Sequence, residues 1–258
     1  MISIENSSKC DDWAKHWDEY AESASNNPAQ IMRHDLLLKK IEEIKTNHSI
    51  LLDVGCGQGD FIKKLAKKGI VERIVGFELS DTGVAMTQMK VPTAEIYKVD
   101  LFSPPDVISR YRDLVDIVVC SDVIEHVDEP VDFCRLVRKY MKKTGVLLLT
   151  VPGGPMSAFD RHIGHRRHFD TTTITNVLEK AGFLVDQVIM SGFPFFNLYR
   201  VVVIIRGKKL IADVQRTNSG VKESRLAGII MSVFRFLFKF NLNRIPLGWQ
   251  VFVVARNH

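Results

Sequence analysis

Acidic residues are nearly missing from the last quarter of this 258-residue chain. Residues 193–258 carry eleven Lys and Arg against two Asp and Glu, whereas residues 1–192 carry 24 against 28. An acidic body with a cationic end excludes a uniformly basic polyanion binder and directs attention to an anionic partner for the C-terminal segment. Cysteine is also scarce. Cys10, Cys56, Cys120 and Cys134 form no C-x-x-C pair, which excludes a disulfide framework and a cysteine zinc site and favours a reducing, cytoplasmic compartment. No uninterrupted apolar run approaches the roughly 20 residues that span a bilayer, and the first thirty residues are polar and acidic, unlike a secretory leader. Neither a linker rich in Pro, Gly or Ser nor an internal repeat divides the sequence. What is there, 46% hydrophobic and 25% charged residues, fits a globular chain with a sizeable core.

Strand-like and helix-like segments alternate. Residues 12–24 and 29–45 read as helices, the second with apolar positions at Leu36, Leu37, Ile41 and Ile44. Ser49–Val54 is a short apolar run suited to a strand buried on both faces. Residues 61–68 alternate apolar residues with lysines and stop at Gly69, the pattern of an amphipathic helix. The rhythm repeats with strands at 73–78, 94–99, 115–120, 146–151 and 183–190, and helices at 81–90, 131–141 and 171–181. Such alternation predicts an α/β fold with right-handed crossovers and a doubly wound, mostly parallel sheet. Seven strands are expected, the last (Trp249–Ala255) antiparallel. The organisation expected is one domain: an N-terminal helical lid (1–45), a core (46–192), a basic and aromatic insertion (193–248) and the final strand (249–258).

Between the first strand and its helix lies Asp53-Val-Gly55-Cys56-Gly57-Gln-Gly59. Glycines there let the backbone turn sharply and approach a ligand, and a helix N-terminus follows that favours negative charge. The spacing is G-x-G-x-G rather than the dinucleotide G-x-G-x-x-G, and no Lys-Ser/Thr pair closes it as in a phosphate loop. Glu78 ends the second strand, 19 residues beyond Gly59, where a carboxylate can accept both hydroxyls of a ribose. Asp100 ends the third strand and Cys120-Ser121-Asp122 the fourth, all at the carboxyl edge where ligands of such sheets bind.

Taken in order, Asp53-Val-Gly-Cys-Gly-Gln-Gly59, Gly76-Phe-Glu-Leu-Ser80, Val99-Asp-Leu-Phe102 and Asp116-Ile-Val-Val-Cys-Ser-Asp-Val-Ile-Glu-His126 resemble the class I S-adenosylmethionine-dependent methyltransferases over about residues 15–190. The resemblance implies a Rossmann-like methyltransferase fold and S-adenosylmethionine as cofactor, with S-adenosylhomocysteine as product. It implies that the loop at Asp53, Gly55, Cys56, Gly57 and Gly59 holds the methionine part and that Glu78 and Leu79 flank the ribose. Asp100 and Leu101 would take the adenine, with Cys120 and Ser121 at the tip of the fourth strand. Within the lid, Trp13, Trp17 and Tyr20 share one helical face, and the resemblance places Tyr20 and Arg33 near the cofactor carboxylate.

The cofactor carries an activated methyl group, so the protein must align the acceptor in line with it and, for an alcohol or ammonium acceptor, remove a proton. His126 is the candidate base, since an imidazole with an ordinary pKa near 6.5 suits neutral pH. Three of eight histidines and three arginines fall within residues 161–168. The segment Gly-His-Arg-Arg-His-Phe resembles a loop that faces the acceptor in methyltransferases of small-molecule, lipid and glycan biosynthesis, among them ubiquinone-biosynthesis-like O-methyltransferases. His165, Arg166 and Arg167 are therefore expected to bind substrate, the arginines clamping a phosphate or carboxylate. Asp122-x-x-Glu125-His126 with a later histidine (His162, His165 or His168) is similar to the E-x-x-E-H…H magnesium site of small-RNA 3′-end methyltransferases and ubiquinone-biosynthesis O-methyltransferases. Magnesium prefers oxygen ligands, and metal is left out of the expected set.

In residues 225–239, Leu226, Ile229, Ile230, Val233, Phe234 and Leu237 recur at helical spacing opposite Arg225, Arg235 and Lys239. A cationic amphipathic helix of this kind lies on an anionic membrane surface or packs its apolar face on the core. Its basic residues are diluted among Phe, Val and Ile, which disfavours nucleic acid. The expectation is a cytoplasmic enzyme, with peripheral membrane contact through 225–239, methylating an oxygen or nitrogen of a small-molecule or glycan/lipid-intermediate, anionic acceptor. The alternatives are a magnesium-assisted RNA ribose 2′-O-methyltransferase and a non-catalytic cofactor-binding partner protein.

Overall fold

A computed structural model describes residues 27–46, 48–218, 225–243 and 245–258, together with Trp13, Trp17 and Ser25. The chain runs α1 (Pro28–Ile44), β1 (Ile50–Val54), α2 (Asp60–Lys68), β2 (Arg73–Glu78), α3 (Asp81–Lys90), β3 (Glu95–Lys98), β4 (Val115–Ser121) and α4 (Pro130–Arg138). It continues through β5 (Met141–Pro152), α5 (Ala158–His162), α6 (Thr171–Lys180), β6 (Phe183–Phe193), α7 (Phe195–Asn218), α8 (Arg225–Leu237), β7 (Leu242–Asn243) and β8 (Gln250–Asn257). The sheet order is β3-β2-β1-β4-β5-β8-β6-β7. Strands β1 to β5 pair in parallel, and β8 runs antiparallel between β5 and β6.

Side-chain alternation along β1 divides the interior. Leu52 and Val54 join Phe77, Val118 and Leu149 under α4 and α6, whereas Leu51 joins Ile117, Val119 and Leu148 under Leu37 and Ile41 of α1 and Phe61 and Leu65 of α2. Both faces are thus covered by helices, as the near-continuous apolar runs require. Local chemistry sets the boundaries. The Asn27 side chain accepts the Ala29 N–H at the start of α1, and left-handed Gly69 (φ +59°) ends α2 with its N–H on the Ala66 and Leu65 carbonyls. Reciprocal caps open α5 (Ser157 with Asp160) and α6 (Asp170 with Thr173).

Two expectations need correction. The helix expected over 131–141 ends at Arg138, because Met141, fully buried, already pairs with Val115; residues 142–145 then bulge before Val146 meets Ile117. The sheet has eight strands rather than seven, since Leu242 and Asn243 of the insertion pair with Phe193 and Ser191 at the edge. Among the described residues, the insertion also contributes the helices α7 and α8 and a 3-10 turn at Phe238–Phe240. The expected helix over 12–24 lies, apart from Trp13 and Trp17, outside the described residues.

Candidate functional site

The glycine loop sits at the carboxyl ends of β1 and β2. Gly55, Gly57 and Gly59 all have positive φ (+74°, +56° and +80°), a region that side-chain-bearing residues avoid. A Cβ on Gly57 would stand 2.5 Å from the Trp17 ring. The Glu78 carboxylate, buried at the tip of β2, accepts the Gly57 N–H (2.9 Å), the Ser80 N–H (3.0 Å) and the Ser80 hydroxyl (2.8 Å). It also accepts the Trp17 indole N–H at 3.4 Å. The loop and the carboxylate are therefore one hydrogen-bonded unit, with an indole from the N-terminal segment lying over both.

Asp53 is buried beneath this unit. Burial first, and the neighbouring Glu78 charge second, push its carboxyl up to about 8, so it is largely neutral at pH 7 until a cation approaches. The Cys56 and Cys120 thiols are likewise pushed well up by burial, which makes them walls rather than nucleophiles.

At the next strand tip Asp100 is exposed, and its carboxylate accepts the Phe102 N–H at 2.9 Å. Leu101 differs from expectation: its side chain packs into the core, leaving its backbone at the edge. Leu79, one residue beyond Glu78, and Phe102, two beyond Asp100, are exposed apolar side chains near these strand tips.

Arg33 and the two loop arginines each meet a partner within the chain. Arg33 pairs with Asp122 at 2.8 Å, and Asp122, itself at φ +52°, accepts the Thr150 hydroxyl at 3.0 Å. Ser121 shares a hydrogen bond with the same Thr150 (2.8 Å). Arg166 meets the Asp128 carboxylate at 2.5 Å and Arg167 donates to the Asp128 carbonyl at 3.0 Å. Both arginines are thereby drawn to the turn after His126, Arg166 by the Asp128 carboxylate and Arg167 by the Asp128 main-chain carbonyl. Tyr20 lies outside the described residues.

His126, in the short turn after β4, joins a chain of imidazoles. Its ring is edge-on to His165 at 4.7 Å and to Trp13 at 4.7 Å. His165 Nδ1 stands 3.2 Å from His168 Nε2, and His168 Nδ1 lies 2.9 Å from the Gly154 carbonyl. A carbonyl only accepts, so His168 Nδ1 carries its proton and His168 Nε2 accepts from His165. That leaves His165 Nε2 as a lone pair. Burial drives the His165 pKa down to about 3 and lowers His168 as well, so both rings are neutral at physiological pH. Beneath them Asp160, buried at the start of α5, is gripped by Arg200 of α7 through two hydrogen bonds of 3.0 and 2.7 Å. This pair, which ties the histidine loop to the insertion, carries no sequence signal, since its members stand 40 residues apart.

Glu125 is completely buried, and neither carboxylate oxygen has a hydrogen-bond partner among the described residues. Burial first and Asp122 second push its pKa well up. Ligand atoms of Glu125, His126 and His165 lie within 4.8 Å of one another, as do those of Asp160, His165 and His168. Of the later histidines, His165 is the one whose ligand atom stands with those of Glu125 and His126. One carboxylate and two imidazoles suit a transition metal or zinc better than magnesium.

Comparison with known proteins places this architecture. A model of the methyltransferase domain matches residues 29–188. The chain is 27% identical over 130 residues to a ubiquinone biosynthesis O-methyltransferase of Hydrogenovibrio crunogenus, covering 50% of this chain and 52% of that protein; it thus spans about half the length of that relative. It is 25% identical over 196 residues to a "probable S-adenosylmethionine-dependent methyltransferase" of Mycolicibacterium smegmatis, with 71% and 70% coverage. Among solved structures, the [4+2]-cyclase SpnF superposes with a TM-score of 0.58 at 18% identity (86% of this chain, 80% of that one). Haemonchus contortus phosphoethanolamine N-methyltransferase 2, bound to phosphomonomethylethanolamine and S-adenosylhomocysteine, gives 0.55 at 18% identity (86% and 52%). With the domain model spanning well over half of its residues, the chain belongs to the methyltransferase-domain family, of the class I, S-adenosylmethionine-dependent type.

Proposed function

We propose that this protein transfers the methyl group of S-adenosylmethionine to an oxygen or nitrogen of a small-molecule or glycan/lipid-intermediate acceptor. The observation that carries the reading is the imidazole chain His126–His165–His168 at the tips of β4 and β5, adjacent to the strand that bears the glycine loop. Fold alone does not decide it, because SpnF, which shares the fold, is a [4+2]-cyclase. The cofactor supplies the activated methyl group, and the rest falls to the chain. Glu78 accepts the ribose hydroxyls, exchanging the Trp17 indole N–H for them. Asp53 loses its proton when the cationic cofactor approaches. Leu79, Phe102 and Asp100 hold the purine.

His126 takes the acceptor proton. His165 orients it, itself fixed in one tautomer by His168 and the Gly154 carbonyl. Trp13, set edge-on against His126, and Trp17, over Gly57, act as the lid that keeps water from the sulfonium. An anionic acceptor meets Arg166 by displacing the half-exposed Asp128 carboxylate, with Arg167, bonded to the Asp128 carbonyl, beside it. The test is transfer of labelled methyl from S-adenosylmethionine to a panel of phenolic, amine and phosphate-bearing acceptors. Turnover lost in His126→Ala, with cofactor affinity kept, supports the reading; full turnover in that variant contradicts it.

The Glu125, His126 and His165 donor set favours a second version, in which a divalent ion is held there beside the acceptor. The unpartnered buried carboxyl of Glu125 fits that role, and the ion would hold an acceptor oxygen in its anionic form. Activity abolished by a chelator and restored by zinc or manganese supports it, and chelator-insensitive turnover contradicts it.

A further inference from the structure

Helix α8 is apolar on two opposite sides. Phe234, with Phe238 just beyond the helix, faces inward, where both pack with Phe196 and Ala29 against α1 and α7. At 100° per residue, Ile229, Val233 and Phe236 fall on the opposite side, and Phe240, in the 3-10 turn that follows the helix, packs its ring against Phe236 at 5.3 Å. All four are 50–60% exposed, and the first three line a shallow groove with Gly228 and Ser232. The sequence reading grouped Val233 with Phe234 on a single face; the structure separates them. Core packing therefore accounts for one side of the helix and leaves the other, together with the exposed Leu242 and Leu247, unexplained. A contiguous apolar stripe of this kind marks an interaction surface.

The charges beside the stripe select the partner. Arg235 and Lys239 are exposed along one flank, and Arg235 lies close enough to Lys64 of α2 for its field to reach that ammonium. Residues 225–258 contain five Lys and Arg and no Asp or Glu. A second copy of this chain would set Arg235 and Lys239 against their own kind, while Asp35 on the adjoining α1 already faces Lys64 at 4.0 Å. A nucleic acid would match the cations and leave four large apolar side chains in contact with phosphate. A bilayer with anionic headgroups satisfies both features at once, the side chains entering the acyl boundary and the cations resting among the headgroups.

We propose that the outer face of α8, through Ile229, Val233, Phe236 and Phe240 with Arg235 and Lys239, docks on an anionic lipid surface. Membrane contact is peripheral, since among the described residues no helix is long and apolar enough to cross a membrane. The inner Phe234 and Phe238 fasten this face to α1 and α7, and Arg200 of α7 in turn holds Asp160 beneath the histidine loop. The proposal stands on this surface alone and is independent of the acceptor assigned above.

Flotation with vesicles of phosphatidylcholine, with and without phosphatidylglycerol, tests it on the full chain. Binding is expected to the anionic vesicles and to be lost at about 0.5 M salt, where the screening length falls to a few ångströms. Arg235→Ala/Lys239→Ala should weaken it about 25-fold, at roughly fivefold per cation near such a surface. Val233→Asp/Phe236→Asp should abolish it while S-adenosylhomocysteine affinity, read by calorimetry, stays at the wild-type value. Equal binding with and without phosphatidylglycerol, no binding to either, or unaltered binding by both double variants overturns the proposal. So does a dimer in sedimentation equilibrium that Val233→Asp/Phe236→Asp dissolves in the absence of vesicle binding, which would assign the face to a second copy.

Discussion

Replacing Asp53 by Asn should stabilise the cofactor-free protein while weakening cofactor binding. The carboxyl is fully enclosed, and burial with the adjoining Glu78 charge raises it from 3.8 to about 8. A carboxyl raised on folding contributes stability that is complete below the unfolded pKa and lost as pH climbs through the folded one. Here that window runs from about pH 4 to about pH 8. At 1.36 kcal/mol for each pH unit between the unfolded pKa and neutrality, the wild type has given up about 4 kcal/mol at pH 7. Asn has nearly the same shape and no proton to lose, so the variant should be more stable by up to about that amount. For a chain of this size the gain corresponds to a Tm rise of the order of 10 °C. Urea melts of both proteins at steps between pH 5 and pH 9 provide the assay. The difference should grow steadily up to about pH 8 and then level off. A difference below about 0.5 kcal/mol at every pH, or one that shrinks as pH rises, would refute the assigned environment of Asp53.

Four further outcomes are expected. Glu78→Gln keeps the shape but removes the charge from the bonds to ribose, at about 1.5–3 kcal/mol for each charged hydrogen bond, so S-adenosylhomocysteine affinity measured by calorimetry should fall at least tenfold. Arg200→Met strands the buried Asp160 carboxylate and should cost about 3–5 kcal/mol in denaturant melts. The Arg200 hydrogen bonds and charge, prevailing over burial, hold Asp160 down at about 2; its contribution of about 2 kcal/mol is present above pH 4 and lost as pH falls through 2, so Asp160→Asn should flatten the acid limb of the stability profile. Gly57→Ala places a methyl 2.5 Å from the Trp17 ring at φ +56°, and indole fluorescence should report the displaced ring.

Much of the sheet was legible in the sequence because a parallel strand buried on both faces announces itself. Ile50–Val54 and Val115–Cys120 could hardly be anything else once bounded by Gly55 and Ser121. The nearness of the glycine loop to Glu78 followed from spacing, since both stand at the ends of adjacent strands. What the sequence concealed depends on distance in the chain. Nothing near Asp160 announces Arg200, and nothing near Arg166 announces that Asp128 will claim it. Helix periodicity put Val233 and Phe234 on one face because both are apolar, whereas only the position of α1 and α7 decides which of them is inside. The start of β5 was misplaced for a related reason: Met141 reads equally well as the end of a helix, and its pairing with Val115 is a tertiary choice.

The most direct measurement of the central claim is isothermal calorimetry of the purified chain with S-adenosylhomocysteine, S-adenosylmethionine and NADH in turn. A site made of the Gly55–Gly59 turn, Glu78 and Asp100 should bind the two sulfur nucleosides, with affinity reduced in Glu78→Gln, and give no heat with NADH. Binding of NADH with no response to either sulfur nucleoside would contradict it.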